Sequence, residues 1–263
     1  MRPLDRQPRL IALDIDGTTV HAHHPPSRRV LAAIRAAGRH AVVMLCTGRT
    51  VLGVGGVLDE LGLDSGLTVC SNGAVVLDTA SREVREVLTF DATAAHHAIR
   101  AVLPDAVFGT EHVGVGQRVS APFPGTHLAG EVTVVSEAEL LAEPTPKLVA
   151  FWPGGTVDEV AERMFGVEVP GATVTLDHEV PWVTMVPAGV SKASALATVA
   201  AGLGLTAADV LAVGDGDNDR AMLRWAGHGV AMGQAPPEVK ADADEVAGVV
   251  TEDGLAAVLE RFF

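Results

Sequence analysis

Four short apolar runs, each breaking off at a cluster of polar residues, constrain this chain more than any other feature. The first, Leu10-Ile11-Ala12-Leu13, stops at Asp14-Ile15-Asp16-Gly17-Thr18-Thr19. The second, Ala41 to Cys46, ends in Thr47-Gly48-Arg49-Thr50. The third, Val183 to Val186, leads into Pro187-Ala188-Gly189-Val190-Ser191-Lys192, and the fourth, Val210 to Val213, into Gly214-Asp215-Gly216-Asp217-Asn218-Asp219. Runs of branched residues bounded by turn signals read as buried parallel strands. Helical stretches follow them, from Ser27 to Gly38, after Thr50, from Ala193 to Leu203 and from Arg220 onward. Such alternation predicts an α/β fold with a parallel sheet, whose ligands bind beyond the carboxyl ends of the strands.

The residues at those ends suit phosphate and metal chemistry. Residues two apart on an extended segment share a side, so Asp14 and Asp16 are expected to point one way with Ile15 turned into the core. Such a pair can divide labour between a nucleophile and a group that moves protons. A hydroxyl and a glycine amide at a helix start, as at Thr47 and Gly48, can cradle phosphate oxygens, or form a plain capped turn. Lys192 opens a helix, where the dipole disfavours a cation, so an anionic partner or a frayed surface turn would explain it. The aspartates from 215 to 219 are hard oxygen donors of the kind Mg²⁺ takes; a solvated acidic turn is the plainer reading. A calcium-binding EF-hand loop does not fit, because Arg220 stands where it needs glycine and Ala226 where it needs an acid.

From about Arg82 the texture changes. Strands are expected over 83–89, 106–111, 113–119, 131–135 and 147–152, with helices over 92–103 and 157–165, an α+β insert rather than more parallel units. The expected division is a core of 1–82 and 187–263 and an inserted lid of 83–186 joined by short crossings. Within the insert Asp177, His178, Glu179 and Trp182 are candidates to read a substrate, or ordinary structural residues. His21, His23 and His24 read as a loop without the fixed spacing of a metal site. The glycines at 53, 55 and 56 lie inside a helical stretch and make no dinucleotide fingerprint. Cys46 and Cys70 sit in apolar runs as small core residues. A net charge of −14 argues against a nucleic-acid face. No apolar run is long enough to span a membrane, and the first residues lack a signal-peptide core, so a cytoplasmic protein is expected.

Together these stretches resemble the haloacid dehalogenase (HAD) superfamily. Asp14-Ile15-Asp16-Gly17-Thr18 is similar to its first motif, Thr47 to the second, Lys192 to the third, and Gly214-Asp215-Gly216-Asp217-Asn218-Asp219-Arg220-Ala221-Met222-Leu223 to the fourth. The fourth, with Ser71-Asn72-Gly73-Ala74 and Gly229-Val230-Ala231-Met232-Gly233-Gln234-Ala235, resembles the Cof-type branch, subfamily IIB, although that branch usually has asparagine where Gln234 stands. The likeness spans essentially the whole chain and implies a Rossmann-like core with a C2-type cap.

It implies a Mg²⁺-dependent phosphatase acting on a small phosphorylated metabolite, with a sugar phosphate as the default, by way of an aspartyl-phosphate on Asp14. Asp16 would be the general acid and base. Mg²⁺ would be held by Asp14, the Asp16 carbonyl and Asp215, with Asp219 acting through water or through the ligands. Thr47, Gly48 and Asn218 would hold phosphate oxygens and Lys192 would neutralise charge; Arg49 has no assigned role. A phosphomutase and a phospho-aspartate signalling domain are the alternatives. A monomer or weak homo-oligomer is expected, with no membrane or nucleic-acid partner.

Overall fold

The structure, a computed structural model, describes residues 7–21, 24–123 and 128–263. Five strands run parallel in the spatial order Glu245–Val246, His228–Ala231, Val210–Gly214, Leu10–Leu13 and Val42–Leu45. The Leu10–Leu13 strand has its successor in sequence on one side and a strand from the C-terminal part of the chain on the other. At such a reversal of strand order a parallel sheet leaves a crevice beyond its carboxyl ends. Asp14 is the first residue past that strand.

Alternation along this strand explains why the run is apolar throughout. Ile11 and Leu13 pack on one face with Val30 and Ile34, Val54 and Leu58, and Leu255 and Val258 from three helices. Leu10 and Ala12 pack on the other with Leu196 and Val199, and Met222 and Leu223. Each fully buried large aliphatic side chain contributes about 1.5–3 kcal/mol. The helices begin where their caps dictate. Ser27 Oγ accepts from the Val30 amide at 3.1 Å and Thr50 Oγ1 from the Gly53 amide at 3.3 Å. Ser191 and Ser194 cap each other's amides ahead of Lys192–Gly202.

A second sheet has six strands in the order Ala172–Leu176, Trp182–Pro187, Leu148–Phe151, Val107–His112, Gly116–Val119 and Glu131–Val134. Its pairings are antiparallel except the last, which is parallel. One face, through Phe108, Leu148, Ala150, Val183 and Met185, packs on the helices Thr93–Val102 and Val157–Met164. The register places Thr175, Thr184, Val149 and Gly109 together on the opposite face. That face meets the turn after Leu67–Cys70 through Thr175, whose Oγ1 accepts from Asn72 Nδ2 at 3.4 Å.

Two expectations need correcting. Val183 to Val186, read as the parallel pattern resuming, lies in the antiparallel strand Trp182–Pro187 of the six-stranded sheet. Val183, Met185 and Val186 are buried while Trp182 and Thr184 are half-buried, and so short a run carries too little alternation to mark its direction. The strand expected over 83–89 is confined to Val84–Val87 and pairs with Val75–Asp78, not with the six-stranded sheet. Leu67–Cys70 completes that three-stranded antiparallel sheet, and a parallel bridge between Cys46 and Val69 joins it to the parallel sheet.

Candidate active site

The first residues past the Leu10–Leu13 and Val210–Gly214 strands meet over the crevice. Lys192 Nζ donates to Asp14 Oδ1 at 2.6 Å and to Asp219 Oδ1 at 2.7 Å, and all three side chains are buried. Asp219 Oδ2 accepts the amides of Asp215 and Gly216, both at 2.9 Å. Asp215 Oδ1 accepts from Thr18 Oγ1 at 3.1 Å. Gly17 takes a left-handed φ of +79°, and a Cβ there would stand 2.1 Å from Asp215 Oδ2. The turn therefore needs glycine both for its backbone and for the room it leaves the carboxylate.

One buried ammonium among three carboxylates leaves the cluster negative. Burial works against the Lys192 charge, but Asp14 and Asp219 hold its pKa above the ordinary lysine value. Burial, together with the Asp219 charge, pushes Asp215 up to about 6. Carboxylate oxygens of Asp14, Asp215 and Asp219 all lie within 4.8 Å of one another. Hard oxygen donors with unbalanced charge fit a divalent cation of the Mg²⁺ kind. Asp219 already spends one oxygen on Lys192 and the other on two amides, so Asp14 and Asp215 are the freer donors.

The phosphate-cradle candidates meet on the adjoining loops. Thr47 is buried, and its Oγ1 accepts from the Arg49 amide at 3.1 Å. A Cβ on Gly48 would lie 3.0 Å from Asn72 Oδ1 and 3.4 Å from Asn218 Nδ2, and these two asparagines are bonded to each other at 2.9 Å. Gly48, Asn72 and Asn218 thus converge. Asn72 reads in the sequence first as a turn residue, and it does take a left-handed φ of 53°.

While Asp14 faces Lys192, the exposed Asp16 carboxylate is gripped by Arg49. Of the insert's candidates, His178 is nearest the cluster, with Nε2 3.7 Å from Asp215 Oδ2. Asp177 accepts the Glu179 and Val180 amides and shapes its own turn, while Trp182 packs with Phe123 and Phe151. Gln234 donates to the Gly17 carbonyl at 2.5 Å and accepts from the Val250 amide, tying the acidic turn to the C-terminal part of the chain. His21 and His24 stack on each other, and His23 lies outside the described residues. Cys46 and Cys70 are free and buried, and burial raises both thiols.

Comparison with known proteins agrees with this geometry. The haloacid dehalogenase-like hydrolase family matches residues 11–110 and 130–259. The chain belongs to this family. The Bacillus subtilis (strain 168) protein YxeH is 31% identical over 96% of this chain and 97% of its own length. The 5-amino-6-(5-phospho-D-ribitylamino)uracil phosphatase YcsE of the same organism is 28% identical over 97% of this chain and 95% of its own. Among solved structures, the HAD subclass IIB sugar phosphatase BT4131 superposes with a TM-score of 0.81 at 23% identity, covering 97% of this chain and 98% of that one. That likeness establishes the HAD fold, a Rossmann-like core with a cap. The enzyme class expected from the sequence, a phosphoric monoester hydrolase, agrees with HAD membership and with a relative named as a phosphatase. No helix among the described residues is long and apolar enough to cross a membrane.

Proposed function

We propose that this HAD protein is a Mg²⁺-dependent phosphatase that hydrolyses a small phosphorylated metabolite in the cytoplasm, through an aspartyl-phosphate on Asp14. The observation that carries the reading is the Lys192 ammonium held between Asp14 and Asp219, with Asp215 beside them, at the carboxyl ends of parallel strands. Asp14 is the nucleophile: its carboxylate attacks phosphorus, the leaving alkoxide departs, and water then cleaves the acyl phosphate to release inorganic phosphate. Asp16 gives a proton to the leaving oxygen and later takes one from that water. Lys192 steadies the charge on Asp14 and on the incoming phosphate, while Thr47, Gly48 and Asn218 hold the phosphoryl oxygens.

Asp14, the Asp16 carbonyl and Asp215 would hold Mg²⁺, with Asp219 acting through Lys192 and the amides of Asp215 and Gly216. When bound, the ion supplies charge neutralisation at the transferred phosphoryl group. We place the lid, the six-stranded sheet with its helices, within residues 83–186 and the core in residues 1–82 and 187–263; the Val84–Val87 strand, paired with Val75–Asp78, and Pro187 stand at the two crossings. The lid supplies the surface that meets the leaving group, and His178 beside Asp215 marks where it approaches the chemistry. A sugar or sugar-alcohol phosphate is the substrate class we favour, on the analogy of YcsE and BT4131, whose names specify a phosphoribitylamino compound and a sugar phosphate.

Phosphate release from a panel of sugar phosphates, nucleotides and phosphorylated cofactors, with Mg²⁺ and with chelator, tests the reading. Chelator-sensitive release is expected, ranked by kcat/KM toward sugar phosphates. Interconversion of sugar phosphate isomers without net phosphate would show a mutase instead.

A further inference from the structure

Two charged side chains of the six-stranded sheet are buried against the loops of the candidate site. Lys147, just ahead of the Leu148–Phe151 strand, is 7% exposed and its Nζ donates to the Gly48 carbonyl at 2.9 Å. Glu111, on Val107–His112, is 6% exposed and accepts a short hydrogen bond from Ser71 Oγ. The Lys147 ammonium is 4.0 Å from Glu111 Oε2, and Glu111 Oε1 has no hydrogen-bond partner among the described residues. Burial pulls the Lys147 pKa down, with the Glu111 charge opposing it.

The two loops they touch are themselves joined. The Ser71 amide donates to the Arg49 carbonyl at 2.8 Å and the Asn72 amide to the Thr47 carbonyl at 3.0 Å. Thr47, Gly48 and Asn72 therefore form one unit, and Lys147 and Glu111 each hold one of its loops.

Buried charges are an unusual way to join two layers. Isolating either one costs several kcal/mol, so the contact is tolerable only where the partners meet in register. When the layers part, both groups regain water, which offsets what they lose. An apolar contact of the same size would resist opening and would allow sliding. A polar seat defines one closed position and still permits release.

We propose that Lys147 and Glu111 are positioning residues for phosphoryl transfer: seating the lid sets Lys147 on the Gly48 carbonyl and Glu111 on the Ser71 hydroxyl, and so fixes the paired loops bearing Thr47, Gly48 and Asn72. The inference rests on the phosphatase reading for its catalytic part and on the geometry alone for its structural part.

The test pairs steady-state kinetics with amide hydrogen exchange on full-length Lys147→Met, Lys147→Arg and Glu111→Gln proteins. Lys147→Met is expected to lower kcat about tenfold or more while KM changes little, as a small misplacement of groups that act in the transition state does. Exchange around Gly48 and Ser71 should quicken in the same variant without substrate, and Lys147→Arg should recover both readouts. If Lys147→Met does not fold, Glu111→Gln is read by the same criteria. A lowered Tm with kcat and exchange unchanged would overturn the proposal, as would a loss of kcat with unchanged exchange. Should the wild type release no phosphate from any substrate, the phosphatase reading fails separately. Exchange around Gly48 and Ser71 then decides the seat by itself.

Discussion

Arg49 grips Asp16 with two hydrogen bonds, Nε to Oδ2 at 2.8 Å and Nη2 to Oδ1 at 2.6 Å. A third, from Nη1 to the Gly53 carbonyl at 3.2 Å, anchors the guanidinium to the following helix. The proposed acid and base is thus held at the mouth of the site by a group that itself has little freedom. Lysine cannot reproduce this fork. Arg49→Lys is expected to lower kcat/KM about tenfold through loss of orientation. The pair is partly exposed, so stability should change by less than about 1 kcal/mol. Kinetics and thermal melts on the same preparation check both halves; unchanged kcat/KM would remove Arg49 from the mechanism.

Removing the Lys192 ammonium leaves Asp14 and Asp219 buried without their shared cation. Lys192→Met should abolish turnover and cost about 3–5 kcal/mol of stability at neutral pH, the usual effect of deleting one partner from a buried ion pair. Saturating Mg²⁺ should restore part of the stability and none of the turnover. Urea melts with and without the ion measure this. Wild-type stability in the variant would mean the carboxylates are satisfied in another way.

Asp215 gives the folded protein a pH-dependent stability. Its pKa is pushed up to about 6 in the folded protein by burial and Asp219, against about 4 in an unfolded chain. Between those values the folded state binds more protons, so this group's contribution to stability falls as pH rises through the window. Two units correspond to roughly 3 kcal/mol at most. Without metal, the wild type should therefore lose stability relative to Asp215→Asn between about pH 4 and pH 6. Mg²⁺ should remove that trend by favouring the ionised form. Denaturant melts of both proteins across the range, with chelator and with the ion, give the comparison. A difference independent of pH would contradict the assignment.

Much of the first sheet was legible in the sequence because its signals are local. Ser27 and Gly38 bracket the helix they predict, and the Leu10–Leu13 and Val210–Gly214 strands stand where the apolar runs place them. Strand direction was less legible. Val183 to Val186 carries no mark of antiparallel pairing, and Ala172–Leu176, half-buried along its whole length, shows no alternation to announce it.

The polar contacts that join distant segments were least legible. Lys147 and Glu111 have the composition of surface residues until the fold buries them against Gly48 and Ser71. Nothing near Arg49 in the sequence says that its partner is Asp16.

In the proposed reaction Asp14 carries the phosphoryl group. Rapid acid quench of a single turnover with radiolabelled substrate and Mg²⁺, followed by peptide mapping, tests it most directly. We expect label on the peptide containing Asp14, removable by hydroxylamine, appearing and decaying as fast as phosphate is released, and absent from Asp14→Asn. Full-rate phosphate release by Asp14→Asn, or wild-type turnover with no label on that peptide at any quench time, would rule out Asp14 as the nucleophile.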